Sequence, residues 1–474
     1  MNFKTGTTFF DVISKNNFPQ ILIIVVAALY LIMEFRKNGA VIKEIFKITV
    51  SFIKIKVFSF FLERKRRSYN RCVGTMEFLE WQKETLDVLY KPIVNDYNKT
   101  HEVQCEYAGL FGRHEYEAVF FKAPDENEYP LPFSPLFSKR EVEYREFSDK
   151  TLRAIRSDAS ARQKAYYRIV KNKIHFPNNI GYMLKEIDYD NPANPTERFH
   201  FTAKTGVYLE NVYTSNILEY ELYRLYKNKR FRKQKKHTAK EILDHLPQRK
   251  AIHEHLIGRT GNIESVLTSG EGRSSLISVS MMVLCKNKNG NYDALRIRRS
   301  ENVDAKVGFL QFVPSGGFSA LDAGVGFDTQ YANASLSKGL LREFLEECFG
   351  EEDFSGIVNL SSENVYSHEA IKNTKLMNNV YFLGTSFSLV DLRHELCFLM
   401  IVDDQELVNK MKANEECDNT LQFISLHTLE TLEFWRRYSA DENDIKDILM
   451  LNATSAALWN LAQRSEKYKA IVKK

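Results

Sequence analysis

The stretch REFLEECFG, Arg342 to Gly350, decides how the C-terminal part of this chain is read. On a helix of about 3.6 residues per turn, Glu343, Glu346 and Glu347 stand at i, i+3 and i+4 and share one face. Leu341, Phe344, Leu345 and Cys348 fall on the opposite, apolar face. Such a helix docks on a sheet while presenting its acids together. Two local rules oppose the grouping. Like charges at i,i+4 repel by a few tenths of a kcal/mol. Glutamates near a helix C-terminus, marked here by Gly350, also face the negative end of the macrodipole. A hard divalent cation would reverse both effects, since such ions take oxygen ligands; a solvated acidic surface is the plainer alternative.

The surroundings of this helix read as sheet. LISVSMMVLC (Leu276–Cys285) is a near-continuous apolar strand, KNKNGNY a hairpin turn, and DALRIRRS its return strand. FLQFVPSGGF follows, then a long polar loop, then the acidic helix. NNVYFLGTSF, HELCFLMIV and TLQFISL supply further strands, and TSAALWNLAQR a closing helix. Residues 269–474 thus predict an α/β unit.

Strand, return strand, PSGG turn and REFLEE helix together resemble the Nudix hydrolase family. Its signature runs from a glycine through five residues to Glu, then seven residues to Arg-Glu-apolar-x-Glu-Glu-x-Gly. Arg342, Glu343, Phe344, Glu346 and Glu347 match the second half, and Gly316 and Gly317 correspond to the opening glycine. The resemblance implies a C-terminal Nudix-like α/β/α sandwich over roughly residues 270–470. It also implies Mg2+ or Mn2+ held by Glu343, Glu346 and Glu347, with Glu346 and Glu347 serving catalysis and Arg342 orienting a glutamate. Water activation and charge neutralisation on a pyrophosphate would follow. The departures matter. Between Gly317 and Arg342 the chain carries about eleven extra residues; Ala334 stands at the first glutamate position and Phe349 at the second glycine position. Displacements of about 1 Å in such sites cost about a hundredfold in rate, so the altered box favours binding over hydrolysis. Arg298, Arg299 and Arg342 are natural phosphate partners because guanidinium offers forked donors. Gly316 and Gly317 let backbone approach a phosphate or simply make a turn.

The N-terminus has a different texture. From Asn16 to Met33, NNFPQILIIVVAALYLIM is uncharged, and a span over about 16–35 comes close to the length of a bilayer's roughly 30 Å hydrocarbon core. It ends in LIMEFRKNG with no small-residue cleavage site, so a retained membrane helix is expected rather than a secretory signal. AVIKEIFKITVSFIKIKVFSFFLERKRR mixes bulky apolar residues with Lys43, Lys47, Lys54 and Lys56, as in an interfacial amphipathic helix or a second span over about 40–62. Residues 1–67 are therefore read as a membrane anchor. Because ERKRR should stay on the positive-inside face, the later domains are expected in the cytoplasm.

Residues 75–268 predict a mixed α+β middle domain, with a helix over Met76–Tyr97 and strands in CEYAGLF, YEAVFF and GYMLKEI. RLYKNKRFRKQKKH (224–237) is its most basic segment, open to reading as a solvated surface, a lipid contact or a nucleotide contact. The HEH run at His253 and His255 does not read as a metal site, since i,i+2 residues on a helix diverge. Six scattered cysteines without a CxxC pair exclude a zinc ribbon and suit a reducing compartment.

An anchor joined to a Nudix-like domain resembles the transmembrane-Nudix effectors of bacterial cyclic-oligonucleotide antiphage signalling. That resemblance implies an effector in the bacterial inner membrane that binds a cyclic oligonucleotide, assembles as a homo-oligomer and disrupts the bilayer, killing the infected cell. No polynucleotide partner is implied. The competing reading is a membrane-tethered, Mg2+-dependent hydrolase of a nucleoside-diphosphate-linked or lipid-linked pyrophosphate.

Overall fold

Ser278–Lys286 is buried along almost its whole length, as a strand covered on both faces must be. Its side chains alternate between two cores. Val279, Met281 and Val283 pack with Phe344 and Leu345 of the helix Leu336–Phe349. Met282 and Leu284 pack with Ala456, Ala457, Leu458 and Trp459 of the helix Ala453–Arg464. This strand is the centre of a three-layer arrangement, with helix on each side of a sheet. The structure, a computed structural model, describes residues 40–110, 113–123, 142–171, 174, 177–189, 199–234, 236–299, 309–321, 326, 328, 330, 336–349, 379–417, 421–435 and 451–472.

The sheet has nine strands. Along its main path run Cys105–Leu110, Arg113–Lys122, Val380–Ser388, His394–Val402, Ser278–Lys286, Tyr292–Arg298 and Leu421–Ser425. Ser315–Gly317 joins Ser278–Lys286, and Leu310–Phe312 joins Tyr292–Arg298. His394–Val402 and Ser278–Lys286 run parallel, while the other pairs in this sheet are antiparallel. Two of the strands, Cys105–Leu110 and Arg113–Lys122, come from the region the sequence pattern assigns to the middle domain, so the nine-stranded sheet draws on both sides of residue 268. A second sheet of five strands is built around Ile180–Asp188 and His200–Val207.

Local chemistry explains the ends of these elements. Thr75 caps Met76–Thr100, its hydroxyl accepting from Phe78 N at 3.3 Å. The KNKNGNY stretch turns at Gly290, whose φ of 83° suits a residue without Cβ, and Asn287 N and Asn291 O close the loop at 2.7 Å. His253 is buried in the helix Pro247–Thr260 with Nε2 3.1 Å from the Tyr90 hydroxyl. Burial and the charges of Arg249 and Arg273 push its pKa down to about 3. It is a neutral core residue.

The chain divides into two compact units, Met1–Ser68 and Tyr69–Lys474. The expected N-terminal membrane helix is not borne out. Among the described residues no helix is long and apolar enough to cross a membrane. Ala40–Val73 is one helix, but charges at Lys43, Glu44, Lys47, Lys54, Lys56 and Glu63 leave it no uninterrupted stretch of the roughly 20 apolar residues a span needs. Glu63 is instead paired along the helix surface with Arg66 and Arg67, each at 3.0 Å. The stretch at about 16–35 lies outside the described residues.

Candidate functional site

The acidic helix is built as its pattern requires. Leu340, Leu341, Phe344, Leu345 and Cys348 are at most 1% exposed, and each fully buried large side chain contributes about 1.5–3 kcal/mol. Docking that face carries the acids to the diglycine strand. Glu347 Oε2 accepts from Ser315 N at 2.7 Å. Glu343 lies so close to Gly316 that a Cβ there would sit 1.9 Å from Glu343 Oε2, which no side chain permits. Gly316 is thus glycine because a carboxylate occupies the place of its side chain.

Arg342 knits the group together. Its guanidinium donates to Glu343 Oε1 at 2.5 Å and to Gly317 O at 3.4 Å, and Nε lies 3.6 Å from Glu346 Oε1. Arg342 and Glu343 are both buried; Glu346 and Glu347 keep some surface. The Glu347 carboxyl is nonetheless desolvated. Burial, then the charge of Glu343, pushes its pKa up to about 8, against the opposing pull of the Ser315 amide and Arg299.

Beside this cluster lies a cavity of about 250 Å3. Ser315, Gly316 and Gly317 form one wall with Arg299, whose guanidinium donates to Gln311 Oε1. A second wall comes from the end of Val380–Ser388 and the start of His394–Val402, contributing Asp391, Arg393 and Glu395. Arg393 donates to Ser278 Oγ and lies 4.0 Å from Asp391. Tyr166, Tyr208, Asn216 and Glu219 complete the lining from helical segments before residue 220.

Two buried arginines fix the second wall. Arg249 donates to Leu389 O at 2.9 Å, to Val390 O at 2.5 Å and to the Tyr90 hydroxyl at 2.6 Å. Arg273 donates to Leu392 O and Ser269 O, both at 2.8 Å. Leu392 has φ 56°, a conformation that costs a branched residue about 1–3 kcal/mol and persists only where its surroundings impose it.

Of the residues singled out in the sequence, Arg299, Gly316 and Gly317 line the cavity, and Arg342, Glu343, Glu346 and Glu347 stand directly behind the glycines. Arg298 does not join them: it is exposed at the end of its strand and outside the cavity lining. Asp391, Arg393 and Glu395 escaped the sequence reading. Their one visible signal is DLRHE, a charged run abutting an otherwise apolar strand. Ala334 and Gly350 lie outside the described residues.

The donor set does not fit the divalent ion that the Nudix resemblance implies. Glu343 and Glu346 both face Arg342, and Glu347 is held by the Ser315 amide. Among the described residues no three carboxylate, imidazole or thiol groups converge as metal ligands. No family model matches the sequence, and no curated protein matches it either.

Proposed function

We propose that residues 69–474 recognise a nucleotide, the cavity taking one phosphate-bearing unit, and that the ligand class is a cyclic oligonucleotide second messenger, as the effector resemblance implies. The supporting observation is the convergence of Arg299, Arg393 and the diglycine backbone on one cavity that also holds Ser278, Asn216 and Asn452. Guanidinium groups match phosphate oxygens in pairs, and glycines let backbone come close. At about 250 Å3 the space is below the roughly 300–1,000 Å3 usual for enclosed drug-sized ligands. One nucleotide unit is therefore enclosed and the remainder of a larger ligand lies outside. No membrane step is part of this reading.

A hydrolase of nucleoside-diphosphate conjugates is the second reading. It is favoured by two desolvated carboxyls, Glu347 and Glu395, whose pKa values of about 8 and about 7 suit proton transfer near neutrality.

Purified protein titrated with cyclic di- and trinucleotides and with linear nucleoside-diphosphate conjugates, with and without Mg2+, separates the two. Binding without product supports the sensor, and product formation supports the hydrolase. In either case Arg299→Ala and Arg393→Ala should each weaken binding by roughly 10- to 100-fold. Failure of every ligand to bind, or variants that bind like the parent, would sink both.

A further inference from the structure

Glu395 opens the strand His394–Val402, paired through its backbone with Ser278 on one side and Ser386 on the other. It lines the cavity, and its Oε2 is buried without a hydrogen-bond partner among the described residues. The Thr454 hydroxyl, at the start of the helix Ala453–Arg464, donates to the same carboxyl. The charged groups that face it are Arg393 on its own strand, Asp391 in the turn before it and Arg299 from the end of the neighbouring hairpin, with Glu219 in the wall formed by the preceding helices.

This is an awkward group to leave ionised beside an anion. A carboxylate only accepts hydrogen bonds, as does a phosphate oxygen, so the two repel; a protonated carboxyl offers one O–H donor. Glu395 lines the cavity, so a protonated carboxyl there would bring such a donor to the ligand.

We propose that Glu395 is neutral in the bound state, its carboxyl O–H donating to a phosphate oxygen, so that the nucleotide binds with uptake of one proton from solvent. The inference rests on the phosphate-site reading and adds to it a regulation by pH. Burial, partly offset by Arg393, already pushes the pKa of Glu395 up to about 7, so a nearby anion has little further to move it. Affinity should be flat in mildly acid solution and fall as pH rises, approaching tenfold per unit in alkali where the free protein has lost the proton.

The test uses the full chain and ADP as the probe, by calorimetry at about pH 7.5 in two buffers of different ionisation enthalpy, which reports proton uptake directly. The parent should take up most of one proton. Glu395→Gln, which keeps a donor at the same position, should bind ADP within about threefold of the parent at pH near 6 and lose that uptake. Binding of ADP without uptake by the parent, or uptake unchanged in Glu395→Gln, overturns the proposal while leaving the phosphate site standing. If ADP fails to bind at any pH, this inference falls, while the phosphate-site reading is decided separately by the cyclic and linear nucleotides titrated above. Should Glu395→Gln not fold, the parent's uptake as a function of pH decides alone, a midpoint outside about pH 6–8 being the overturning result.

Discussion

Two acidic groups flank the cavity, one behind its diglycine wall and one in its lining, and they are made in opposite ways. On the side of the helix Leu336–Phe349, three glutamates are grouped by a single helical repeat and surrounded by one arginine and each other. On the side of the 389–393 turn, Asp391 and Glu395 are grouped by tertiary structure, with Arg249 and Arg273 reaching the turn from 140 and 119 residues away. The first group needs only that its helix's apolar face find a sheet. The second needs the whole of the preceding region folded against it. Local pattern and distant support therefore make different parts of one site, and damage to each should have a different signature.

The largest effect is expected at the remote support. Arg249 is fully buried and spends its guanidinium on two carbonyls of the turn and a tyrosine hydroxyl. Arg249→Met keeps much of the volume but strands those acceptors. Leaving each buried acceptor unpaired costs about 1–3 kcal/mol. Chemical denaturation should show a loss of that order, and hydrogen exchange should show the 389–393 turn opening well before the helix Leu336–Phe349. Equal exchange at both groups would mean that the turn is not held from a distance.

That contrast also explains what was legible in the sequence. The strands containing Met281, Phe382 and Phe398 and the helix around Trp459 follow from hydrophobic period and turn residues. So did the face shared by Glu343, Glu346 and Glu347, since spacing alone fixes it. Glu395 was not legible, because nothing within a few residues says that its strand begins at a cavity. Nor was the joining of Cys105–Leu110 and Arg113–Lys122 to the same sheet as Ser278–Lys286, which is a matter of topology. Over Ala40–Val73 it is the second span that fails, because lysines interrupt its bulky apolar residues.

An intermediate effect, and one that sharpens the difference in charge between the two groups, is expected from Glu347→Gln. Arg299 acts on both carboxyls, but the leading charge beside Glu347 is Glu343, whereas beside Glu395 it is Arg393. A carboxyl whose pKa rises from 4.5 unfolded to about 8 folded binds its proton more tightly in the native state. Its ionisation therefore costs nothing below about pH 4.5, destabilises progressively as pH rises toward 8, and reaches its full cost above that. Replacing it with Gln, which still accepts from Ser315 N, should stabilise the protein by on the order of 2–3 kcal/mol near pH 8.5 and leave it almost unchanged near pH 4. Thermal unfolding across that range reads the difference. A gain at low pH instead would mean that packing, not ionisation, is what the substitution relieves.

The smallest effect belongs to Arg298, and it decides whether the walls or mere nearness to them matter. Arg298 and Arg299 are adjacent in sequence, and RIRRS gives no reason to prefer one. Strand geometry does, since successive side chains leave a strand on opposite faces. Arg299 turns to Gln311 and the cavity; Arg298, opposite Leu310 in the ladder, is exposed and outside the lining. Surface substitutions of this kind change stability by no more than about 0.5 kcal/mol. Arg298→Ala should therefore leave both unfolding and nucleotide affinity near parental values, even at low ionic strength, where exposed charge is least screened. A loss of affinity matching that of Arg299→Ala would place the ligand along the outer face of the hairpin rather than between the two walls.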